Sequence, residues 1–146
     1  MPERTVLQSM ARRHVLSLGP LASVRDAACA MTGANCGSVL VIDGAGPMQG
    51  ILTERDLMTR VLAKGLDPDA TPVTQVMTRH PRCVGPETKV ADAVLVMIER
   101  GFRHLPVVAE DGRVLGVFSA RDALPREVGT AADLAEFNER VNDALG

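Results

Sequence analysis

The apolar residues along the chain switch between two spacings, and they do so twice. Val24, Ala27, Ala28 and Met31 recur at intervals of three and four, as do Val90, Ala93, Val94 and Met97. That spacing predicts two helices, each with one buried stripe, and Ser23 and Thr88 are the expected N-caps. A compact apolar run follows each stripe, Ser38-Val39-Leu40-Val41-Ile42 and Leu105-Pro106-Val107-Val108. A glycine-containing turn comes next, Asp43-Gly44-Ala45-Gly46 or Glu110-Asp111-Gly112, and then a second strand, Gln49–Leu52 or Val114–Phe118. Each such pair predicts a hairpin. Short extended pieces near Val15–Leu18 and Arg82–Val84 precede the helices and end in Gly-Pro turns.

Another helix is predicted after the first hairpin, from Arg55 to Lys64, with Gly65 as its stop. Its counterpart after the second hairpin meets Pro125 and is expected to be short or kinked. Gly65–Thr71 has the composition of a linker. Thr130–Leu145 predicts a terminal amphipathic helix with Leu134, Phe137, Val141 and Leu145 on one stripe, available to its own core or to a partner subunit.

The two patterns are copies of one unit. A shift of 66 residues, without a gap, places Gly50-Ile51-Leu52-Thr53-Glu54-Arg55-Asp56 on Gly116-Val117-Phe118-Ser119-Ala120-Arg121-Asp122. From His14 to Arg60 the shift gives 13 identities in 47 pairs. The chain is therefore expected to be α/β (α+β), with a β-α-β-β-α repeat at 5–66, a second at 71–128 and a C-terminal helix at 129–146. Each half, at roughly 65 residues, is marginal alone, so the halves are expected to share a core.

Composition narrows the functional classes. The 146 residues are 46% hydrophobic and 23% charged, as in an ordinary soluble domain. A net charge of −2 creates no field for a polyanion, and the absence of Trp and Tyr removes the usual stacking platforms for single strands, so no nucleic-acid partner is expected. No apolar run is long enough to span a bilayer, and no signal-peptide pattern follows Met1, so the expectation is a cytoplasmic protein without membrane attachment. Cys29, Cys36 and Cys83 lack CxxC spacing; Cys29 and Cys36 align with Leu95 and Phe102 and are expected at buried positions.

The repeated signature, glycine, two apolar residues, Thr or Ser, two residues and Asp, supports two readings. One is a capping box: Thr53 or Ser119 accepts from the amide of the third helical residue, and Asp56 or Asp122 favours the positive end of the helix. The other is a ligand site. Helix amides and a hydroxyl suit a phosphate, Arg55 or Arg121 adds a charged fork of donors, and the carboxylate accepts from ribose hydroxyls. Arginine recurs at this place although its neighbours Glu54 and Ala120 differ.

These features together resemble a tandem pair of cystathionine-β-synthase (CBS) domains, the arrangement called a Bateman module. The resemblance covers about residues 5–128 and is carried by the repeat, the β-α-β-β-α order, Val76-Met77-Thr78, Leu105-Pro106-Val107-Val108 and both signatures. It implies a pseudo-two-fold pair of halves packed sheet to sheet with two clefts, a homodimer, and an adenosine ligand such as AMP, ADP, ATP or a related adenosyl compound. By position, Asp56 and Asp122 are implied to hold ribose, Thr53, Arg55, Ser119 and Arg121 to lie near phosphate, and Arg103 and His104 to face phosphates. The backbone of the apolar strands, Pro106 included, is implied to line the adenine. The first copy has Gly37-Ser38 in place of Arg103-His104, so a strongly anionic ligand is expected to prefer the second.

No histidine or cysteine spacing fits a metal, and no nucleophile-base pattern fits catalysis. His14 and His80 are expected as solvated turn residues beside arginines. The functional expectation is a non-enzymatic regulatory module that senses adenosine nucleotides and signals to a separate, unknown protein. The alternative is an interaction protein that binds no ligand and acts by dimerisation, its signatures serving as caps.

Overall fold

The computed structural model describes residues 3–10 and 15–145. In chain order the elements are α1 (Val6–Ser9), β1 (Ser17–Leu18), α2 (Val24–Ala34), β2 (Ser38–Ile42), β3 (Met48–Thr53), α3 (Glu54–Asp56), α4 (Val73–Val76), β4 (Thr78–Arg79), α5 (Val90–Arg100), β5 (His104–Val108), β6 (Val114–Ser119) and α6 (Pro125–Leu145). A π-helical segment, Leu57–Leu62, continues α3, and a 3₁₀ turn, Ala120–Asp122, follows β6. The class is mixed α/β, as the pattern predicts.

The described residues form two compact units, 15–81 and 3–10 with 82–145. This division differs from the sequence repeat: the helical turn α1 at the head of the first copy packs into the unit of the second copy. The helix starts explain it. The first N–H groups of a helix have no partner within it. In the unit 15–81 the Val24 N–H donates to Thr71 O at 2.9 Å, and Val73 donates to Ala22 O at 2.9 Å. In the other unit the Val90 N–H donates to Arg4 O at 3.0 Å, and Val6 donates to Thr88 O at 2.8 Å. Apolar side chains follow the backbone: Val73, Val76 and Met77 join the core of Val24, Ala27, Met31, Val39, Val41 and Leu52. Val6 and Met10 join the core of Val90, Ala93, Met97, Leu105, Val107 and Phe118.

Unit 15–81 holds a four-stranded sheet in the order β1-β2-β3-β4, parallel between β1 and β2 and antiparallel elsewhere. In the other unit β5 and β6 form the same antiparallel hairpin, and Val84 bridges Val107 in parallel where Leu18 pairs Val41. Both hairpins shift register at equivalent places, Val41/Ile42 and Val107/Val108. The helix ends also match. Asn35 and Gly101, 66 positions apart, both cap in the left-handed region, with φ of 52° and 76°.

Three expectations are corrected. Ser23 caps α2 with a reciprocal bond to Asp26, but Thr88 does not cap α5; Lys89 stands there, without a side-chain cap bond. Under the 66-residue shift Lys89 is the equivalent of Ser23, and a lysine side chain has no acceptor to offer a helix N–H. The helix expected from Arg55 to Lys64 widens into π geometry, with Ala63 N–H donating to Met58 O at 2.9 Å. Thr59 Oγ1 competes for the Arg55 carbonyl at 2.9 Å, and the turn ends at Gly65, φ 68°.

The terminal helix begins at Pro125 rather than near Thr130. Proline lacks an N–H and suits a first helical turn, and Glu127 Oε1 accepts the Leu124 N–H at 2.7 Å. Glu127 also accepts from Arg4 Nη2 at 2.8 Å and Arg4 Nε at 3.2 Å, while Arg4 Nη2 donates to Asp122 O at 3.0 Å. One arginine thus ties the α1 segment to the start of α6. Ala131 is buried against α5, but Leu134, Phe137, Val141 and Leu145 remain exposed.

Two outcomes follow from this packing. A Cβ on Gly50 stands 2.6 Å from Met77 Sδ and 2.6 Å from Thr78 O. Because Thr78 is backbone held in β4, Gly50→Ala is expected to lower stability by about 1–3 kcal/mol in denaturant melts. Arg4 hydrogen bonding holds the Glu127 carboxyl below its usual range despite partial burial, with the Leu124 N–H adding to the effect. The ion pair therefore stabilises the fold fully above about pH 4.5, and its contribution fades as pH falls through the lower folded value. Glu127→Gln is expected to cost roughly 1–3 kcal/mol at pH 7, and the gap between the two thermal melts should narrow below about pH 4.5.

Candidate functional site

Each signature sits where a strand passes directly into a helical turn. Such a corner leaves an N–H at the strand's last residue and several at the turn, and the side chains present satisfy them reciprocally. In the first copy Thr53 Oγ1 accepts from the Asp56 N–H at 3.2 Å, and Asp56 Oδ2 accepts from the Thr53 N–H at 2.9 Å. In the second, Ser119 Oγ accepts from the Arg121 N–H at 3.3 Å, and Asp122 Oδ2 accepts from the Ser119 N–H at 2.9 Å. The capping reading of the signature is therefore realised in both copies, although the Ser119 hydroxyl takes the N–H of the second residue of its turn, Arg121, rather than the third.

The neighbouring strand completes each corner. Ser38 pairs Thr53 and His104 pairs Ser119. The Glu54 N–H donates to Gly37 O at 3.0 Å, and the Ala120 N–H donates to Arg103 O at 3.1 Å. Arg103, His104, Ser119, Arg121 and Asp122 are thus gathered at one strand end, with Arg103 and Arg121 exposed and His104, Ser119 and Asp122 half-buried. Pro106 lies two residues further along β5, fully buried, its carbonyl accepting from Val84 at 3.0 Å. At the first corner Arg55 is exposed, Thr53 is half-buried and Asp56 is buried.

Charge separates the two corners. The second presents two arginines at its rim with Ala120 as the first residue of the turn. The first presents Arg55 beside Glu54, and Gly37-Ser38 where the second has Arg103-His104. An anion meets attraction at one and near-cancellation at the other.

Arg60 and Arg4 have roles that the motif did not reveal. Arg60 Nε lies 3.5 Å from Asp56 Oδ1, and its Nη1 donates to Val76 O at 2.9 Å and Met77 O at 3.4 Å. The four-residue spacing from Asp56 is a readable signal for that pair. The Arg4–Glu127 pair spans 123 positions and has no local signal.

Among the described residues no group of three or more His, Cys, Asp or Glu is placed to hold a metal, and no helix is long and apolar enough to cross a membrane. Cys29 is exposed rather than buried, because it lies off the α2 stripe of Val24, Ala27 and Met31; Cys36 is half-buried. Burial raises the Cys83 thiol above its ordinary value. His80 is exposed in a turn with φ 48°. His14 and the adjoining Arg12-Arg13 lie outside the described residues.

The family comparison agrees with this construction. The CBS domain matches residues 7–63 and 73–128. An uncharacterized protein of Acidianus ambivalens is 35% identical over 118 residues, covering 81% of this chain and 70% of its own length. A CBS domain-containing protein of Arabidopsis thaliana is 34% identical over 98% of this chain, which spans only 26% of that protein. A solved CBS domain protein of Pyrobaculum aerophilum, complexed with AMP, superposes with a TM-score of 0.75 at 26% identity, covering 86% of this chain and 95% of that one. The chain belongs to the CBS-domain family, as a tandem pair of CBS domains.

Proposed function

We propose that the protein is a regulatory module that binds an adenosine nucleotide (AMP, ADP or ATP) at a signature corner and reports occupancy to a separate protein. The observation that carries this reading is the second corner. Arg103 and Arg121 stand at the strand end beside Asp122, which combines two guanidinium forks for phosphate with a carboxylate for ribose hydroxyls. The AMP complex of the Pyrobaculum relative supports the ligand class. Asp122 spends one oxygen on the Ser119 N–H. Among the described residues Oδ1 accepts no hydrogen bond, so capping and ligand binding are compatible in one side chain.

Signalling requires that the ligand favour one arrangement of the protein over another, since equal affinity shifts nothing. The reading asks for no turnover of the bound nucleotide. Dimerisation is the second part of the proposal, and the exposed stripe of α6 favours it: Phe137 is 63% and Leu145 82% exposed, with Leu134 and Val141 beside them.

Native mass spectra of gently purified protein test both parts. The chain has no Trp or Tyr, so absorbance near 260 nm reveals a carried nucleotide directly. Asp122→Asn keeps an acceptor for the Ser119 N–H but removes the charge. It is expected to weaken ATP or AMP binding about 10- to 100-fold, the worth of a charge-assisted hydrogen bond to ribose, with little change in melting temperature. Unchanged affinity, or no binding of either nucleotide by the parent protein, favours the interaction protein that binds no ligand. Phe137→Asp is expected to convert dimers to monomers at equal protein concentration; a parent protein that is already monomeric removes the dimer.

A further inference from the structure

We propose that Arg60 fills the signature carboxylate of the first copy from within, while Pro125 leaves that of the second open, so that each chain binds one nucleotide, at Asp122. The proposal rests on the nucleotide reading above and deepens it, by naming the residue that decides which signature works.

Both oxygens of Asp56 are engaged. Oδ2 accepts the Thr53 N–H at 2.9 Å, and Oδ1 faces Arg60 Nε at 3.5 Å. The carboxylate side chain is 12% exposed. Arg60 is not a loose surface partner, because its Nη1 is held by Val76 O and Met77 O at the end of α4. A ribose hydroxyl seeking Asp56 has to displace a guanidinium anchored at three places, at a rim where Glu54 opposes phosphate.

The second copy has an arginine at the equivalent position, Arg126, 66 residues after Arg60. It does not repeat the pair. In the first copy the chain stays helical from Glu54 through Leu62, so residues four apart share a face. In the second, Ala123 is extended, with ψ 145°, and Pro125 starts a new helix. Proline cannot continue the turn that Ala120–Asp122 begins, so Arg126 leaves on α6 and is exposed. Arg4 instead donates to the backbone carbonyl of Asp122 and binds Glu127; its guanidinium attracts the Asp122 carboxylate through space, and the hydrogen bond that carboxylate accepts comes from the Ser119 N–H. The substitution that separates the two halves is thus Thr59 against Pro125, one residue before the arginine in each.

Carbodiimide labelling with glycine ethyl ester, read by peptide mass spectrometry on the unmodified protein, tests the sequestration without any ligand. Asp122 should label severalfold faster than Asp56. In Arg60→Gln the Asp56 rate should rise toward that of Asp122 while the Asp122 rate stays unchanged. Equal rates in the parent protein, or an unaltered Asp56 rate in an Arg60→Gln protein with a parental circular dichroism spectrum, would overturn the proposal. Native mass spectra with added ATP give the second arm. One ATP per chain, kept in Asp56→Asn and lost in Asp122→Asn, is expected, with a second ATP gained in Arg60→Gln. Two ATP per chain in the parent protein, or loss in Asp56→Asn, overturns it. Failure of every protein to bind ATP sinks the nucleotide reading alone, and the labelling rates then decide for or against the role of Arg60.

Discussion

A strand that becomes a helical turn without a loop exposes peptide N–H groups that nothing in the regular structure can satisfy. The aspartate three positions on accepts the cap residue's N–H and the cap hydroxyl accepts an N–H of the turn in both halves, from Asp56 to Thr53 in the first and from Arg121 to Ser119 in the second. These bonds hold the carboxylate at the end of the hairpin, beside the residues that precede β2 and β5. A polar cap and a polar binding corner therefore need the same atoms in the same place. An aspartate that bonds a backbone N–H with one oxygen still has a second to offer, and the difference between the halves lies in what becomes of that oxygen.

The halves have diverged where the ligand reading is most sensitive and have stayed alike where packing governs. Register, the bulge, the left-handed helix stops and the link between the strand end and Gly37 or Arg103 superpose under one shift. The rim charges and the continuation after the aspartate do not. One proline accounts for much of the second difference. It ends the turn after Asp122, frees Arg126 from the corner and starts a helix of 21 residues whose stripe has no counterpart in the first half.

Assembly of the unit 3–10 with 82–145 shows how a repeat in sequence differs from a unit in space. The α5 start needs an acceptor for the Val90 N–H, and Arg4 O supplies it from the far end of the chain. The Arg4 side chain then joins Asp122 O and Glu127, so the N-terminal segment, the second signature and the first turn of α6 are mechanically one piece. Two hydrogen-bonded groups, Arg4 and Glu127, connect the Asp122 backbone to the first turn of α6. For a protein read as a reporter of ligand occupancy, that connection runs from the carboxylate's own residue to the helix with the exposed apolar stripe.

The sequence by itself determined the repeat, the hairpins, the helical stripes and the two signatures, because each depends on residues within a few positions of one another. Periodicity reports which face is buried, and a cap needs only its own turn. The same local logic placed Ser23 at a helix start and Gly65 at a stop, and it failed at Thr88, because the helix starts one residue later and Lys89, which has no side-chain acceptor, stands at the cap. The tertiary structure alone decided that residues 3–10 belong with the second half, that Arg4 meets Glu127, and that Arg60 reaches Val76 and Met77. Those contacts join residues 16 to 123 positions apart. Such pairs leave no periodic trace in the chain, since any exposed arginine satisfies the local pattern equally well, and only the packed backbone selects the carbonyl or carboxylate that each one finds.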